Sequence, residues 1–182
     1  DNNTNEKIVI KSKQYDEKII INHNLVKQGN WSDFVVGACK IISDKFGIKI
    51  SSINFVIDSD LPIGIGLSSS AAITVATLRA LITKYNIEIS NEELVSLALK
   101  VENDFVNVGG GIMDQFTSIY GSTSKILYLD TATNDFELIP LNENYKFLII
   151  DSGESRILAN SEFNSRKILC ENVANKLSLN YL

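Results

Sequence analysis

Residues 61 to 72 read Leu61-Pro62-Ile63-Gly64-Ile65-Gly66-Leu67-Ser68-Ser69-Ser70-Ala71-Ala72, a glycine-rich loop running into a serine-rich helix start. The segment before it, Ile53-Asn54-Phe55-Val56-Ile57, is strand-like, and Ala71 to Leu81 after it carries apolar residues at helical spacing. Gly64 and Gly66 admit backbone conformations closed to residues with a Cβ and let a ligand approach the main chain closely. The serines meet a helix N-terminus, where unpaired N–H groups and the helix dipole favour an anion such as a nucleotide phosphate. A lone Gly-x-Gly is more often a plain turn. Here the strand before and the helix after favour a phosphate cradle.

With 182 residues, 45% of them hydrophobic, the chain can bury the core of one domain, or of one large domain with part of another. A net charge of −5 gives no bulk attraction for nucleic acid or an anionic membrane, and favours small soluble partners. Cys39 and Cys170 are widely spaced and lack a ligand-like cluster, so reduced thiols in the cytoplasm are expected, not a disulfide framework or zinc site. His23 is the only histidine; a Ser-His-Asp device would have to use it, and its polar strand-end setting suits a surface side chain better. Neither a signal peptide nor a bilayer-spanning apolar run is present. The chain opens Asp1-Asn2-Asn3 without a methionine, as an excised or processed fragment would.

Along the chain, Lys7 to Lys11 and Lys18 to Asn22 predict a hairpin about a polar turn at Tyr15 and Asp16. Asn30 or Ser32 is expected to cap a helix from Asp33 to Phe46, with Phe34, Val35, Ala38, Ile41, Ile42 and Phe46 as its apolar stripe and Gly47 ending it. A strand over Ile50 to Ile57 follows, then the loop, a helix to about Tyr85, and a helix capped by Ser90 with Glu93 completing a capping box. Beyond a second glycine-rich segment, Val108 to Gly111, the pattern predicts a helix over Met113 to Tyr120. Strands at Ile126 to Leu129, Phe136 to Ile139 and Phe147 to Ile150 come next, then an amphipathic helix from about Ala159 to Leu177. No repeat or linker interrupts this, and Pro62 and Pro140 sit at element boundaries; one α/β unit is implied.

The second constellation runs from Glu102 to Phe116, with Gly109-Gly110-Gly111 just before the acidic helix start at Asp114. Three glycines there bring the backbone close to a ligand and aim Asp114 at it, where a carboxylate can accept a proton from a hydroxyl. Asp114 as a helix-start acid favoured by the dipole fits the local sequence equally well. Glu102 on its own reads as a solvated helix residue.

Taken together, the Pro62 to Ala72 loop, Gly111-Ile112-Met113-Asp114-Gln115-Phe116 with Glu102 upstream, Trp31-x-x-Phe34-Val35-x-Gly37, and Asp151-Ser152-Gly153 followed by Leu158-Ala159-x-Ser161-Glu162-Phe163-Asn164-x-Arg166 resemble the GHMP kinase superfamily, and within it the galactokinase family, over essentially the whole chain. The resemblance implies a two-layer α+β (α/β) fold, that of the GHMP kinase N-terminal domain, similar to domain 2 of ribosomal protein S5. It makes residues 1–182 a fragment of that ATP-binding domain, with 159–182 a helix leading toward a C-terminal domain the chain lacks.

It also implies ATP-dependent phosphorylation of a sugar at its anomeric hydroxyl. Pro62, Gly64, Gly66, Leu67, Ser68, Ser69, Ser70 and Ala71 would hold the phosphates of ATP, and Ser70 with Glu102 would hold Mg²⁺. Asp114 would act as base or orienting acceptor, with Gly111 lining the sugar. Trp31 and Phe34 would border the adenine, although Trp31 also suits a packing role at a helix start. The family's sugar-binding segment with its Gly-Glu-His-x-Asp motif is absent here, so the isolated fragment is expected to have little or no kinase activity. The stretch Ser152-Gly153-Glu154-Ser155-Arg156 departs from the galactokinase pattern and leaves the sugar's identity open. Two other readings stand beside the enzyme. One is an ATP- and sugar-binding sensor or co-inducer, disfavoured by the intact Ser70-Ala71-Ala72; the other is an RNA-binding domain, disfavoured by the negative charge.

Overall fold

β1 (Ile8–Ser12) and β2 (Glu17–Ile21) form the expected hairpin, each strand displaced one residue toward the turn from its predicted bounds. The computed structural model describes residues 6–22, 24–153 and 163–179. Alternation decides which face of β1 is inside: Ile8, Ile10 and Ser12 are buried, while Lys11 points to solvent. α1 (Asp33–Phe46) then carries the chain to β3 (Ile53–Ile57), which lies parallel to β1 and gives the sheet order β2-β1-β3. The strand predicted from Ile50 begins only at Ile53, because the register runs out there; Ile50 is nonetheless buried.

Parallel pairing places the ends of β1 and β3 side by side, with Ser12 opposite Ile57. The hairpin turn is thereby laced to the chain leaving β3. Lys13 N–H donates to Ile57 O at 3.0 Å, and the Gln14 side-chain amide donates to Ser59 O. This long-range pairing positions the site described below.

α1 buries Val35, Val36, Ala38, Cys39 and Ile42, with Ile41 and Phe46 half-buried against the same core. Its N-terminus differs from expectation. Ser32 occupies the cap position, but its hydroxyl is buried without a partner, and Asn30 instead accepts from Ser32 N–H at 2.9 Å. The buried Asp33 carboxylate orders the approach, accepting from Gln28 N–H at 2.6 Å and Gly29 N–H at 2.8 Å.

α2 (Ser69–Tyr85) packs on α1, and α3 (Asn91–Lys100) on α2. Ser90 caps α3 as predicted, accepting from Glu93 N–H at 3.2 Å, but the capping box is only half made because the Glu93 carboxylate pairs with Lys45. α3 passes without a break into a π-helical turn, Val101–Val106, that no sequence pattern announced. α4 (Met113–Tyr120) packs on α2 and α3, and the separate hairpin of β4 (Lys125–Leu129) and β5 (Phe136–Pro140) follows.

Two later expectations change. Phe147–Ile150 forms no strand: a strand exists only through its ladder, this run has no partner among the described residues, and its side chains are exposed. The last helix, α5, spans Phe163–Lys176 and leaves Ile168, Leu169 and Val173 exposed, so it is not the packed amphipathic helix expected; residues 159–162 lie outside the described residues. His23 and Glu154 to Arg156 also lie outside them. Both cysteines are free thiols, and burial pushes that of Cys39 up to about 12, which makes it unreactive. Among the described residues no helix is long and apolar enough to cross a membrane.

Candidate functional site

A cavity of about 670 Å³ opens between the hairpin turn, the start of α1, the glycine loop and the first turns of α2. Of the residues expected at a nucleotide site, Trp31, Phe34, Gly64, Ser69 and Ser70 line it. They are joined by residues that sequence reasoning missed, among them Gln14, Tyr15, Asp58 and Ser59, which the β1–β3 pairing brings in. Tyr15 stacks on Trp31 with ring centroids 5.4 Å apart and planes within 14°. Trp31 Nε1 donates to Glu17 at 3.0 Å. The signal available was an aromatic residue set in a polar turn, with nothing local to say what it would meet. A mostly apolar cavity of this size, with a few polar side chains in its lining, suits a small-molecule ligand.

Gly64 and Gly66 both take left-handed backbone conformations, φ +80° and +85°, and no protein atom lies within 4 Å of where a Cβ would stand on either. The chain turns into α2 through Ser68, which is itself left-handed at φ +56°, and no side chain caps the helix. The first-turn N–H groups of α2 are thus available to a ligand's anionic group. Pro62, Gly66, Leu67, Ser68 and Ala71 do not line the cavity; the Ala71 methyl is fully buried in the core.

A second group forms where the π-helical turn meets the glycines before α4. Glu102 is only 5% exposed and its Oε1 has no hydrogen-bond partner. The reading of Glu102 as a solvated residue is therefore overturned. Its position carried the signal: it stands four residues after Ala98 and seven after Val95, in line with the buried face of α3 just beyond that helix's end. Burial, then the negative charge of Asp114, raises its carboxyl to about 7; the Gln115 amide beside it pulls back part of that rise without a well-formed hydrogen bond. A Cβ on Gly110 would stand 3.2 Å from Glu102 Oε2, a tight contact that the carboxylate would have to yield to by a few tenths of an ångström. Asn103 Nδ2 donates to Gly110 O at 3.3 Å, tying the turn to the glycine loop. Asp114, half-buried, sits in the first turn of α4, and Gly111 is exposed with open space beside its Cα. A buried carboxylate that feels a second negative charge, with no ion pair among the described residues, attracts either a proton or a cation. Among the described residues no group of three or more His, Cys, Asp or Glu gathers to hold a metal alone.

The expected residues thus fall in two groups, one about the cavity and the start of α2 and one about the π-helical turn and the start of α4; α2 and α4 pack directly on each other. Residues 33–122, which contain the glycine loop, Glu102 and Asp114, match the family described as GHMP kinases N terminal domain. A galactokinase of Thermosipho africanus (strain TCF52B) is 38% identical over 171 residues, 93% of this chain and 45% of that protein. The structure of Lactococcus lactis galactokinase complexed with galactose superposes with a TM-score of 0.81 at 25% identity, covering 96% of this chain and 47% of that one. Methanococcus jannaschii mevalonate kinase superposes with a TM-score of 0.61 at 27% identity over 74% of this chain and 42% of its own. The chain spans about half the length of the curated relatives it matches.

Proposed function

The chain belongs to the GHMP kinase superfamily and within it to the galactokinase family, and from that premise we propose that it supplies the ATP-binding part of a sugar kinase. The enzyme transfers the γ-phosphoryl group of ATP to the anomeric hydroxyl of galactose or a related sugar, giving the sugar 1-phosphate and ADP. The observation that carries this reading is the buried Glu102 carboxylate, whose Oε1 has no partner and which feels the charge of Asp114, a residue of the helix α4 that packs on the helix the glycine loop opens.

In this reading the adenine lies in the cavity against Trp31 and Phe34. The N–H groups of the Gly64 to Ser70 loop hold the β- and γ-phosphates, whose charge the N-terminus of α2 favours. Asp114 accepts the proton of the sugar hydroxyl as its oxygen bonds to the γ-phosphorus and the bond to the β-phosphate oxygen breaks. Gly111, with open space beside it, leaves room for the sugar. Mg²⁺ fits the donor set: Glu102 presents an orphaned oxygen, Ser70 a hydroxyl, and a hard cation that takes most of its ligands from phosphates and water needs few protein ligands. When bound, Mg²⁺ neutralises charge on the phosphates, and Glu102 and Ser70 are the residues that would hold it. The free thiols of Cys39 and Cys170 accord with a cytoplasmic setting.

A panel of sugars that includes galactose, tested for ADP release with the full-length protein, checks the reading. Sugar-dependent release with at least one member is expected; no release with any of them overturns it. Residues 1–182 alone are expected to show little or none, and robust turnover by that piece would refute this narrower expectation.

A further inference from the structure

The least satisfied side chain among the described residues is Gln115. It is fully buried, yet neither its Oε1 nor its Nε2 has a hydrogen-bond partner. Five buried side-chain polar atoms among the described residues lack partners, and four of them are here: Glu102 Oε1, Asn103 Oδ1 and both amide atoms of Gln115. Buried amides are ordinarily paired because leaving them unpaired is costly, and a leucine or methionine would fill this position without that cost. The amide therefore has capacity for hydrogen bonds that its present protein neighbours do not take up. Its nearest chemical complement is the Glu102 carboxylate it lies against: an ionised carboxylate only accepts, and the amide has two N–H groups to give.

We propose that Gln115 is a positioning residue for a divalent cation: its side-chain N–H donates to one oxygen of Glu102 and orients the carboxylate so that the other faces the metal. The proposal rests on the reading of Glu102 as a Mg²⁺ ligand given above. Carboxylates that ligate metals are themselves hydrogen-bonded from behind, and removing that support typically weakens metal binding by about 10- to 100-fold. Gln115 follows Asp114 directly at the start of α4, so the same turn carries the acceptor for the sugar proton and the support for the metal carboxylate.

The test compares the full-length protein with its Gln115→Met variant by calorimetric titration with ADP, in Mg²⁺ and in EDTA. The ratio of the two affinities measures what Mg²⁺ contributes, independently of turnover. Gln115→Met is expected to melt at the wild-type temperature or higher, since it removes unpaired polar atoms, while the Mg²⁺-dependent ratio falls about tenfold. In a Glu102→Gln background, adding Gln115→Met is expected to change the ratio no further. A ratio within about twofold of wild type overturns the proposal, as does an equal loss in both backgrounds. A variant that fails to fold overturns it too, because the amide would then be a structural bond. A wild-type protein that binds ADP equally well with and without Mg²⁺ refutes the metal role of Glu102 itself and takes the inference with it.

Discussion

The two halves of the site are built on opposite principles. The cavity side uses backbone: two left-handed glycines, an uncapped helix start and a mostly apolar wall, with no buried charge among its lining residues. The acidic side uses side chains and holds a carboxylate and two amides inside the protein with unpaired atoms. Solvent satisfies the first at little cost, whereas the second carries an unfavourable free energy of its own that a cation would relieve. The proposed division, binding by backbone and chemistry by side chains, is one that substitutions can separate.

The largest expected effect falls on chemistry without binding. Asp114→Asn removes the proton acceptor and leaves the cavity untouched, so sugar-dependent turnover of the full-length protein should fall about 10²- to 10⁴-fold while ATP affinity is retained. Unchanged turnover would refute the role of Asp114; loss of ATP binding would show that the two halves do not separate. It also discriminates a kinase from a non-catalytic sensor, which has no turnover to lose.

Glu102→Gln exposes the cost of the acidic side through pH. An ordinary glutamate titrates at 4.5, whereas Glu102 is held up to about 7. At lower pH than either value both folded and unfolded chains are protonated and the residue contributes nothing. Between them the folded chain keeps a proton that the unfolded chain has released, so stability falls as pH rises; above about 7 the loss is complete, on the order of 3 kcal/mol. Denaturant melts in EDTA should therefore find Glu102→Gln more stable than wild type by up to about 3 kcal/mol near pH 8, and equal to it near pH 4. A difference that ignores pH would remove the argument for a buried, uncompensated charge.

The two halves were also unequally legible. The glycine loop, the helix it opens and the Ser90 cap are local patterns whose physics is complete within a dozen residues. The contribution of Tyr15 to the cavity was not, because it depends on parallel pairing between β1 and β3, which lie about forty residues apart. Glu102 reads as solvated alone because its charge outweighs its spacing from the buried Val95 and Ala98 of α3, and the π-helical turn that holds it has no sequence signal. Phe147-Leu148-Ile149-Ile150 carried strand propensity without a strand, since propensity does not supply a neighbour to pair with.

Gly37 joins the halves. It lies in α1, whose start lines the cavity, and an added Cβ would stand 2.8 Å from Phe105 Cδ1 and 3.0 Å from Val101 Cγ1 of the π-helical turn beside Glu102. Gly37→Ala should destabilise the protein by about 1–3 kcal/mol in denaturant melts, with partial recovery when Phe105→Leu makes room. If the joint is rigid, Mg²⁺-dependent ADP binding weakens alongside stability; if only stability changes, the halves are mechanically independent.

The smallest effect is the one that tests the cradle. Gly66 has φ +85° and open space where a Cβ would stand, so Gly66→Ala should meet no clash and cost only its left-handed strain, about 1 kcal/mol. Asparagine tolerates that conformation better, and Gly66→Asn should cost less. Strain alone therefore predicts two variants that differ in stability and bind ADP alike. A phosphate held against the main chain predicts otherwise: any side chain at 66 intrudes on the ligand's space, so both lose ADP affinity, and asparagine, the bulkier, loses more despite folding better. Opposite orders for stability and affinity would assign the loop to the phosphates; matching orders would reduce it to a turn.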